Sequence, residues 1–568
     1  MRLVVLLWVA LSMTACGGGR SIPISIELAE PVSEGACGSQ SPTRPSGVGC
    51  VTIEVWALRG GLRERVLLVL PDQPHTTGAG VDQLRLPGPT IRFDAMLDPD
   101  IDHELDIRVY DDGVGAASSR AFVRNVRFDG RPINVRLHPY RQWACPGPRS
   151  GGGLPLPRAL HGAVRVDNDD VVLFGGVTVR PTGSGAIEAS GDLGPLIQPA
   201  IEVFDASESR FYVVQGAQLP RVLFAARYLG REGALHRIRV VGGYEVTDPS
   251  AAAVTLEATL RFPGWGAPLY PSPSTQVADT VDLLYDPQAH SVQVVPAITT
   301  PRGGLNALAT NDAGESLVVL GYQNWTSPAT MGMRPDLSGQ FHYLGMDGVA
   351  VDPGTLLRPR LGAAVAYLGP PGNEFVVWGG NVTATGIDEL RAGAGEILSR
   401  GRPAALVSTG LGLADDLPDP VAFATATRFG DSVKAVLIAG GLRIDSAAQR
   451  IAPSPETDPQ PLPDPLFVLE PDPTMPGRYR RVGGDASLYQ PTTFHAVVPV
   501  EDALRESPIT PEVWLVGGAV WSYAGADRST LVETTQVGRV RYLGTSFSYE
   551  QMPSLTVGRW GHSATLLS

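Results

Sequence analysis

The chain has 568 residues, 66 of them glycine and 50 proline, four cysteines, and a formal net charge of −13. That much Gly and Pro suits short strands and turns rather than long helices. The acidic balance and the lack of any basic run exclude a phosphate-tracking surface, so no nucleic-acid partner is expected.

In chain order, residues 1–15 read as an export signal: Met1-Arg2 is a short positive region, Leu3 to Ser12 is apolar, and Met13-Thr14-Ala15 leads to Cys16. The apolar run is shorter than the about 20 residues that a membrane span needs. Met13-Thr14-Ala15-Cys16 resembles a bacterial lipobox, which implies that Cys16 is lipidated and that several acyl chains hold the protein to a membrane. Residues 16–20, with Gly17-Gly18-Gly19, then form a flexible tether. Glycine rather than aspartate after the cysteine resembles the pattern that sends lipoproteins of Gram-negative bacteria to the outer membrane. The expected address is therefore the cell envelope, with the acyl anchor as the only membrane contact.

Residues 21–140 predict seven short strands: Ile24 to Leu28, Val51 to Leu58, Arg65 to Leu70, Thr90 to Phe93, Leu105 to Tyr110, Ala121 to Phe128 and Ile133 to Leu137. Alternation in Leu105-Asp106-Ile107-Arg108-Val109 predicts one buried and one wet face. Seven such strands suggest a small immunoglobulin-like β-sandwich. In an exported protein disulfides are permitted. Cys37 with Cys50 is the simplest pairing, a pairing with Cys145 stays open, and one cysteine is left over. Residues 141–156, rich in Gly and Pro, read as a linker.

From residue 157 to 568 one pattern recurs. A segment beginning near Pro or Arg leads into a small-residue strand, followed by a second strand ending in Gly-Gly or Gly-Tyr. Pro157-Arg158 leads to Gly175-Gly176, Pro220-Arg221 to Gly242-Gly243, and Pro301-Arg302 to Gly321-Tyr322. Pro359-Arg360 leads to Gly379-Gly380, Pro420 to Gly440-Gly441, and Pro491 to Gly517-Gly518. Arg559 to Leu567 reads as a seventh first strand with nothing after it. The units are spaced by roughly 60 to 80 residues, in the range of repeats with loop insertions. The paired glycines predict backbone that a side chain would obstruct. Third and fourth strands are legible in the first two units (Ile201 to Asp205 with Phe211 to Val214; Val281 to Asp286 with Val292 to Val295). They are fainter at Phe467 to Leu469 and Val537 to Val540, and unplaced in the third and fourth units.

Arg-x-x-His-x-Ala, an apolar strand, Gly-Gly and then Val-x-Val-Phe-Asp resembles the kelch repeat. The resemblance implies an all-β, kelch-type β-propeller of radially arranged four-stranded blades. The C-terminal strand is expected to pair into the first blade and close a ring of six. A seventh blade borrowing Arg141 to Pro157 is the alternative.

Chemical motifs are sparse. The copper-radical oxidases with kelch-like blades need a cysteine crosslinked to a tyrosine, and residues 157–568 contain no cysteine. His161, His495 and His562 share one repeat position and are read as structural rather than as a metal site, so no metal or cofactor is expected. Asp98 to Glu104 resembles the start of a calcium loop but has His103 where the glycine belongs, and is read as a turn. Asp167-Asn168-Asp169-Asp170 is read as a hairpin turn. Nucleophile elbows, zinc-protease helices and phosphate loops are absent, and no catalytic residue is assigned. The expectation is a lipid-anchored envelope protein that binds or scaffolds a protein or glycan, more a binder than an enzyme. Long insertions such as Tyr244 to Asp279 and Asp445 to Pro465, with Trp265, Trp325 and Trp521, would line its rim. The alternative is a carbohydrate-active enzyme with a loop-built site on the ring axis.

Overall fold

The computed structural model describes strands within residues 22–139 and most of residues 158–565. The widest gaps in the latter are 179–195, 247–274, 322–338, 381–394, 406–420, 452–465 and 501–509. The described residues contain strands, turns and irregular segments and no helix. Cys16, Cys37, Cys145, the 141–156 linker, Trp265 and Trp325 lie outside them.

All seven strands expected before residue 140 are present, in the order Leu62–Val69, Cys50–Arg59, His103–Tyr110, Ser119–Val126, Ile133–Pro139, Ile22–Leu28 and Ile91–Phe93 across one connected sheet. Ile22–Leu28 runs parallel to Ile133–Pro139. Cys50 stands opposite Tyr110. The wet face expected for His103–Tyr110 is covered at its start, because Glu104 and Asp106 are buried there, as Leu105 and Ile107 are on the other face. Asp106 tolerates this because Arg120 donates to both of its oxygens, at 2.9 and 3.0 Å, and Arg108 adds a third bond. A buried carboxylate needs such partners. Of the turn expected at Asp98 to Glu104, residues 98–100 and 102 lie outside the described residues, and His103-Glu104 open this strand.

Among the described residues of 158–565 there are six antiparallel sheets of four or more strands, numbered I to VI, each with its four main strands in sequence order, beside smaller two- and three-stranded ones. Sheet I is Gly162–Arg165, Val171–Phe174, Ala200–Asp205 and Arg210–Gln218. Sheet II is Ala225–Glu232, Leu235–Val241, Val281–Asp286 and Ser291–Pro296. Sheets III and IV supply the strands that sequence left unplaced: Gln340–Leu344 with Ala350–Thr355, and Gly395–Ser399 with Arg402–Ala405. Sheets V and VI begin at Thr425–Arg428 and Ala496–Val500. Sheet VI gains a fifth, parallel strand, Gly484–Asp485, at its edge.

Apolar residues alternate onto both faces of these sheets, so each core lies between neighbouring sheets rather than within one. Val172, Phe174 and Val203 of sheet I pack with Ile238, Val240 and Leu283 of sheet II. Trp378 of sheet IV is fully buried against sheet V, edge-on to Phe467 with ring centroids 5.2 Å apart. Sheets V and VI share a third core around Val468 and Val513. Small residues on the first strands let neighbouring first strands approach: Gly162–Arg165 meets Ala225–Glu232, and Ala364–Gly369 meets Thr425–Arg428.

The C-terminal segment departs from expectation. Residues 558–565 are not a strand and do not join sheet I, whose first strand ends that sheet. Ala564 packs instead on the outer face of sheet VI. The hydrogen bonds of this segment, given below, are those of a leading segment, and these run irregularly before their strand begins.

Candidate functional site

Each sheet is entered through a short leading segment, and the leading segments converge at one face. Residues four before the first strand make the inter-sheet links. The second glycine of each pair donates its N–H to that residue's carbonyl in the next unit: Gly176 to Arg221, 2.9 Å; Gly243 to Gly303, 2.8 Å; Gly380 to Val421, 2.9 Å; Gly441 to Thr492, 3.0 Å; Gly518 to Arg559, 2.6 Å. The first glycine lies under the same backbone. A Cβ on Gly175, Gly242, Gly379, Gly440 or Gly517 would sit 1.9–2.7 Å from the carbonyl oxygen of the next unit. The glycine pair is thus the joint between sheets, and its positive φ (63° at Gly440, 104° at Gly441) is one that glycine adopts without strain.

The arginine of the leading segment braces its own unit. Arg158, Arg221 and Arg360 each donate to the carbonyl of the first glycine, Gly175, Gly242 and Gly379. Arg158 also pairs with Glu202 at 2.8 Å and Arg360 with Glu396 at 3.1 Å, all four side chains buried. A planar guanidinium can serve a carbonyl and a carboxylate at once, as an ammonium cannot.

Two residues further round the turn, the backbone enters the left-handed region in every unit where that residue is described. The residues are Leu160 (φ 54°), Leu223 (56°), Gly362 (67°), Phe423 (58°), Phe494 (53°) and Gly561 (57°). This conformation costs a bulky L-residue roughly 1–2 kcal/mol. The turns hydrogen-bond head to tail: Phe423 N–H to Gly362 O, Gly561 N–H to Phe494 O, both 2.8 Å, and Leu160 N–H to Gly561 O, 2.6 Å. Their side chains also lean on one another. The Phe423 ring covers Gly362, Leu160 covers Gly561, and Phe423, Phe494 and Trp560 form an arc with ring centroids 5.2 and 5.9 Å apart. The result is a half-buried apolar collar around the meeting point of the leading segments. Residues 558–561 occupy a place in it between units VI and I.

The insertions rise from this same face. Tyr244–Val246, directly after Gly242-Gly243, pairs with Arg221–Val222 of its own leading segment and with Thr275–Val277. Leu442–Asp445 pairs with Val421–Ala422 and with Arg450–Ile451. Ala519–Tyr523, which holds Trp521, pairs with Ser529–Glu533. The 1–2 and 3–4 hairpins turn on the opposite face.

The three histidines of the repeat lie in this ring but do not converge on a point. His495 Nε2 meets Thr425 Oγ1 of the preceding unit at 2.8 Å, and His161 Nε2 meets Ser563 Oγ at 2.9 Å. These bonds reach across to the neighbouring unit, and His495 Nδ1 also meets Thr492 Oγ1 of its own leading segment at 3.2 Å, in keeping with a structural role. Burial pushes His161, His495 and His562 down to about 4, so all three are neutral at pH 7. A serine beside a neutral imidazole is the pairing of nucleophilic catalysis. The same pair recurring as His495 with Thr425 marks it as a repeat contact. Among the described residues no group of three or more His, Cys, Asp or Glu side chains is placed to hold a metal ion.

Asp167 to Asp170 forms the hairpin turn expected, with Asp169 at φ 67°. Sequence reasoning missed that Asp170 is buried and reaches sheet II. It also missed the collar, whose signal was legible as an apolar or glycine residue two positions before each small-residue strand.

The sheets and their joints define an all-β protein built from repeated four-stranded antiparallel units. No family model matches the chain, and no curated protein does. A solved structure of YjhT matches over 68% of this chain and 95% of its own length, with 11% identity and a TM-score of 0.32. A likeness that slight carries no argument about activity.

Proposed function

We propose that this chain is a lipid-anchored envelope protein that presents a kelch-type β-propeller, on an immunoglobulin-like sandwich domain, to bind a protein or glycan at the loop-bearing face. The collar carries this reading. Four bulky residues, Leu160, Leu223, Phe423 and Phe494, are held in a conformation that costs energy, all at one repeat position and all at the face from which the insertions rise. Strain stored at one place in a fold points to use there. A floor of apolar side chains at the face where the insertions begin suits contact recognition.

The buried carboxylates on the neighbouring third strands favour binding over hydrolysis. Glu202 and Glu396 are engaged by arginines. Asp170, whose carboxyl burial pushes up to about 7, belongs to the opposite face beside the third strands. For the blade count, the bonds of Arg559, Gly561 and Ser563 repeat those of the other leading segments, which supports a ring of seven inner places, six of them filled by complete sheets. Lipidation at Cys16 and the outer-membrane address rest on the sequence alone.

The test is affinity capture of the native, membrane-extracted protein with mass spectrometry. A stoichiometric partner that is lost with Trp521→Ala on the loop face and kept with Met346→Glu on the opposite face is expected. A partner indifferent to both, or none in capture and glycan-array screens alike, refutes the reading.

A further inference from the structure

Neighbouring sheets share an apolar core at every seam from I–II to V–VI. Among the described residues no such core joins sheet VI to sheet I. The segment 558–565 stands between them, bonded on one side through Gly518 N–H to Arg559 O and on the other through Leu160 N–H to Gly561 O.

The two sheet faces turned toward this place are apolar and only partly covered. On sheet I, Leu173 and Val213 share a face with Phe204 and Phe211, opposite the face that packs on sheet II. All four are half-exposed, and the two phenyl rings rest on each other at 5.0 Å. Val240 and Leu283 hold the places of Leu173 and Phe204 in sheet II, and both are fully buried against sheet I. On sheet VI, Val498, Trp514 and Met552 are half-exposed on the face turned away from sheet V. Large apolar side chains left partly in water at one seam, and buried at its equivalents, mark a place built for contact.

Arg559 shows which contact is missing. It takes the repeat place of Arg158, Arg221 and Arg360. Those three donate to the glycine carbonyl that closes their own second strand, and Arg158 and Arg360 also hold Glu202 and Glu396 of their third strands. Among the described residues Arg559 is exposed and its guanidinium makes no hydrogen bond or ion pair. Glu533 packs beside Gly558 without bonding to it. The nearby charges of sheet VI answer one another, Arg539 with Glu550 at 2.5 Å and Arg541 with Glu512 at 3.5 Å. The backbone of 562–565 pairs with no strand among the described residues, while its counterpart Gly162–Arg165 pairs along its whole length with Val171–Phe174.

We propose that this seventh place is a docking site for an acidic β-strand of a partner protein. The strand pairs with 562–565, its apolar side chains cover Phe204 and Trp514, and a carboxylate on it takes Arg559 as Glu202 takes Arg158. Strand addition of this kind draws affinity from main-chain hydrogen bonds and specificity from the side-chain pockets. A guanidinium selects a carboxylate through its planar fork. The inference goes beyond the loop-face reading and does not rest on it.

The probe is a synthetic hairpin that joins copies of residues 171–176 and 200–205 through a Gly-Ser linker. It supplies the glycine carbonyl and the glutamate that Arg559 lacks. Its control has glutamine in the Glu202 place. Both are titrated by fluorescence anisotropy into the full chain, with hydrogen exchange measured free and bound. The acidic hairpin is expected to bind about tenfold more tightly than its control, the worth of one charge-assisted bond. Exchange at 562–565 should be fast in the free chain and slow in the complex, with 436–439 in sheet V level. Arg559→Gln should abolish the preference for the acidic hairpin. Slow exchange at 562–565 in the free chain would show that the chain fills this place itself, and would overturn the proposal. So would no binding of either hairpin, equal binding of the two, binding that leaves 562–565 unprotected, or an Arg559→Gln chain that keeps the preference. The wild-type titrations decide all but the last of these outcomes without the variant.

Discussion

Replacing Gly440 with alanine tests the glycine joint, and Gly233 supplies a control with matched backbone. The two have φ of 63° and 64°, so alanine pays the same left-handed strain at each, about 1–2 kcal/mol. Around Gly233 a Cβ meets nothing within 4 Å. At Gly440 it would lie 1.9 Å from Thr492 O and 2.8 Å from His495 Cε1. To reach even the 3.0 Å that real Cβ atoms keep, sheet VI's leading segment must retreat by about 1.1 Å, the difference of those two distances. The obstacle is backbone, not the end of a flexible side chain. Overpacking of that kind costs about 1–3 kcal/mol. The Gly441 N–H to Thr492 O bond weakens with it, at about 1 kcal/mol. Gly440→Ala should therefore lose about 3–6 kcal/mol in urea unfolding and Gly233→Ala about 1–2. Exchange protection should fall first at Thr492 to Ala496. If the two variants lie within about 0.5 kcal/mol of each other, the glycine pair is a turn preference and not a joint between sheets.

Arg360→Ala leaves Glu396 buried without its cation and strips the Gly379 carbonyl of a donor. A loss of about 3–5 kcal/mol is expected in denaturant titration, part of it recovered by adding Glu396→Gln. His495 has its folded value depressed to about 4, so the unfolded chain takes up the proton first. Its contribution, up to about 3 kcal/mol, is present above pH 6.5 and is lost as pH falls toward 4. His495→Gln should flatten that acid limb in thermal melts at stepped pH. Ser563→Ala removes the partner of His161 Nε2 at the meeting of the C-terminal segment and unit I. It should cost about 1 kcal/mol and raise hydrogen exchange at residues 559–565 before any other segment.

The sequence by itself determined the repeat. β-branched runs closed by Gly-Gly placed the first two strands of each unit, because strand propensity and glycine punctuation are local signals. The seven strands before residue 140 were legible for the same reason. Third and fourth strands in units III and IV were not: Ala350–Thr355 contains Pro353 and Gly354, and Arg402–Ala405 contains Pro403. Such residues form strands only because neighbouring strands hold them there. Tertiary structure alone decided what each glycine pair touches, since the obstructing carbonyl belongs to the next unit. It decided that Leu160, Phe423 and Phe494 are linked through Gly561 and ring contacts into one arc, although they lie far apart in sequence. It also decided that Asp170, one of four polar residues in an ordinary-looking turn, is buried under Tyr285. Charge and hydropathy patterning report which face of a strand is wet, and they stop where one sheet covers the turns of the next.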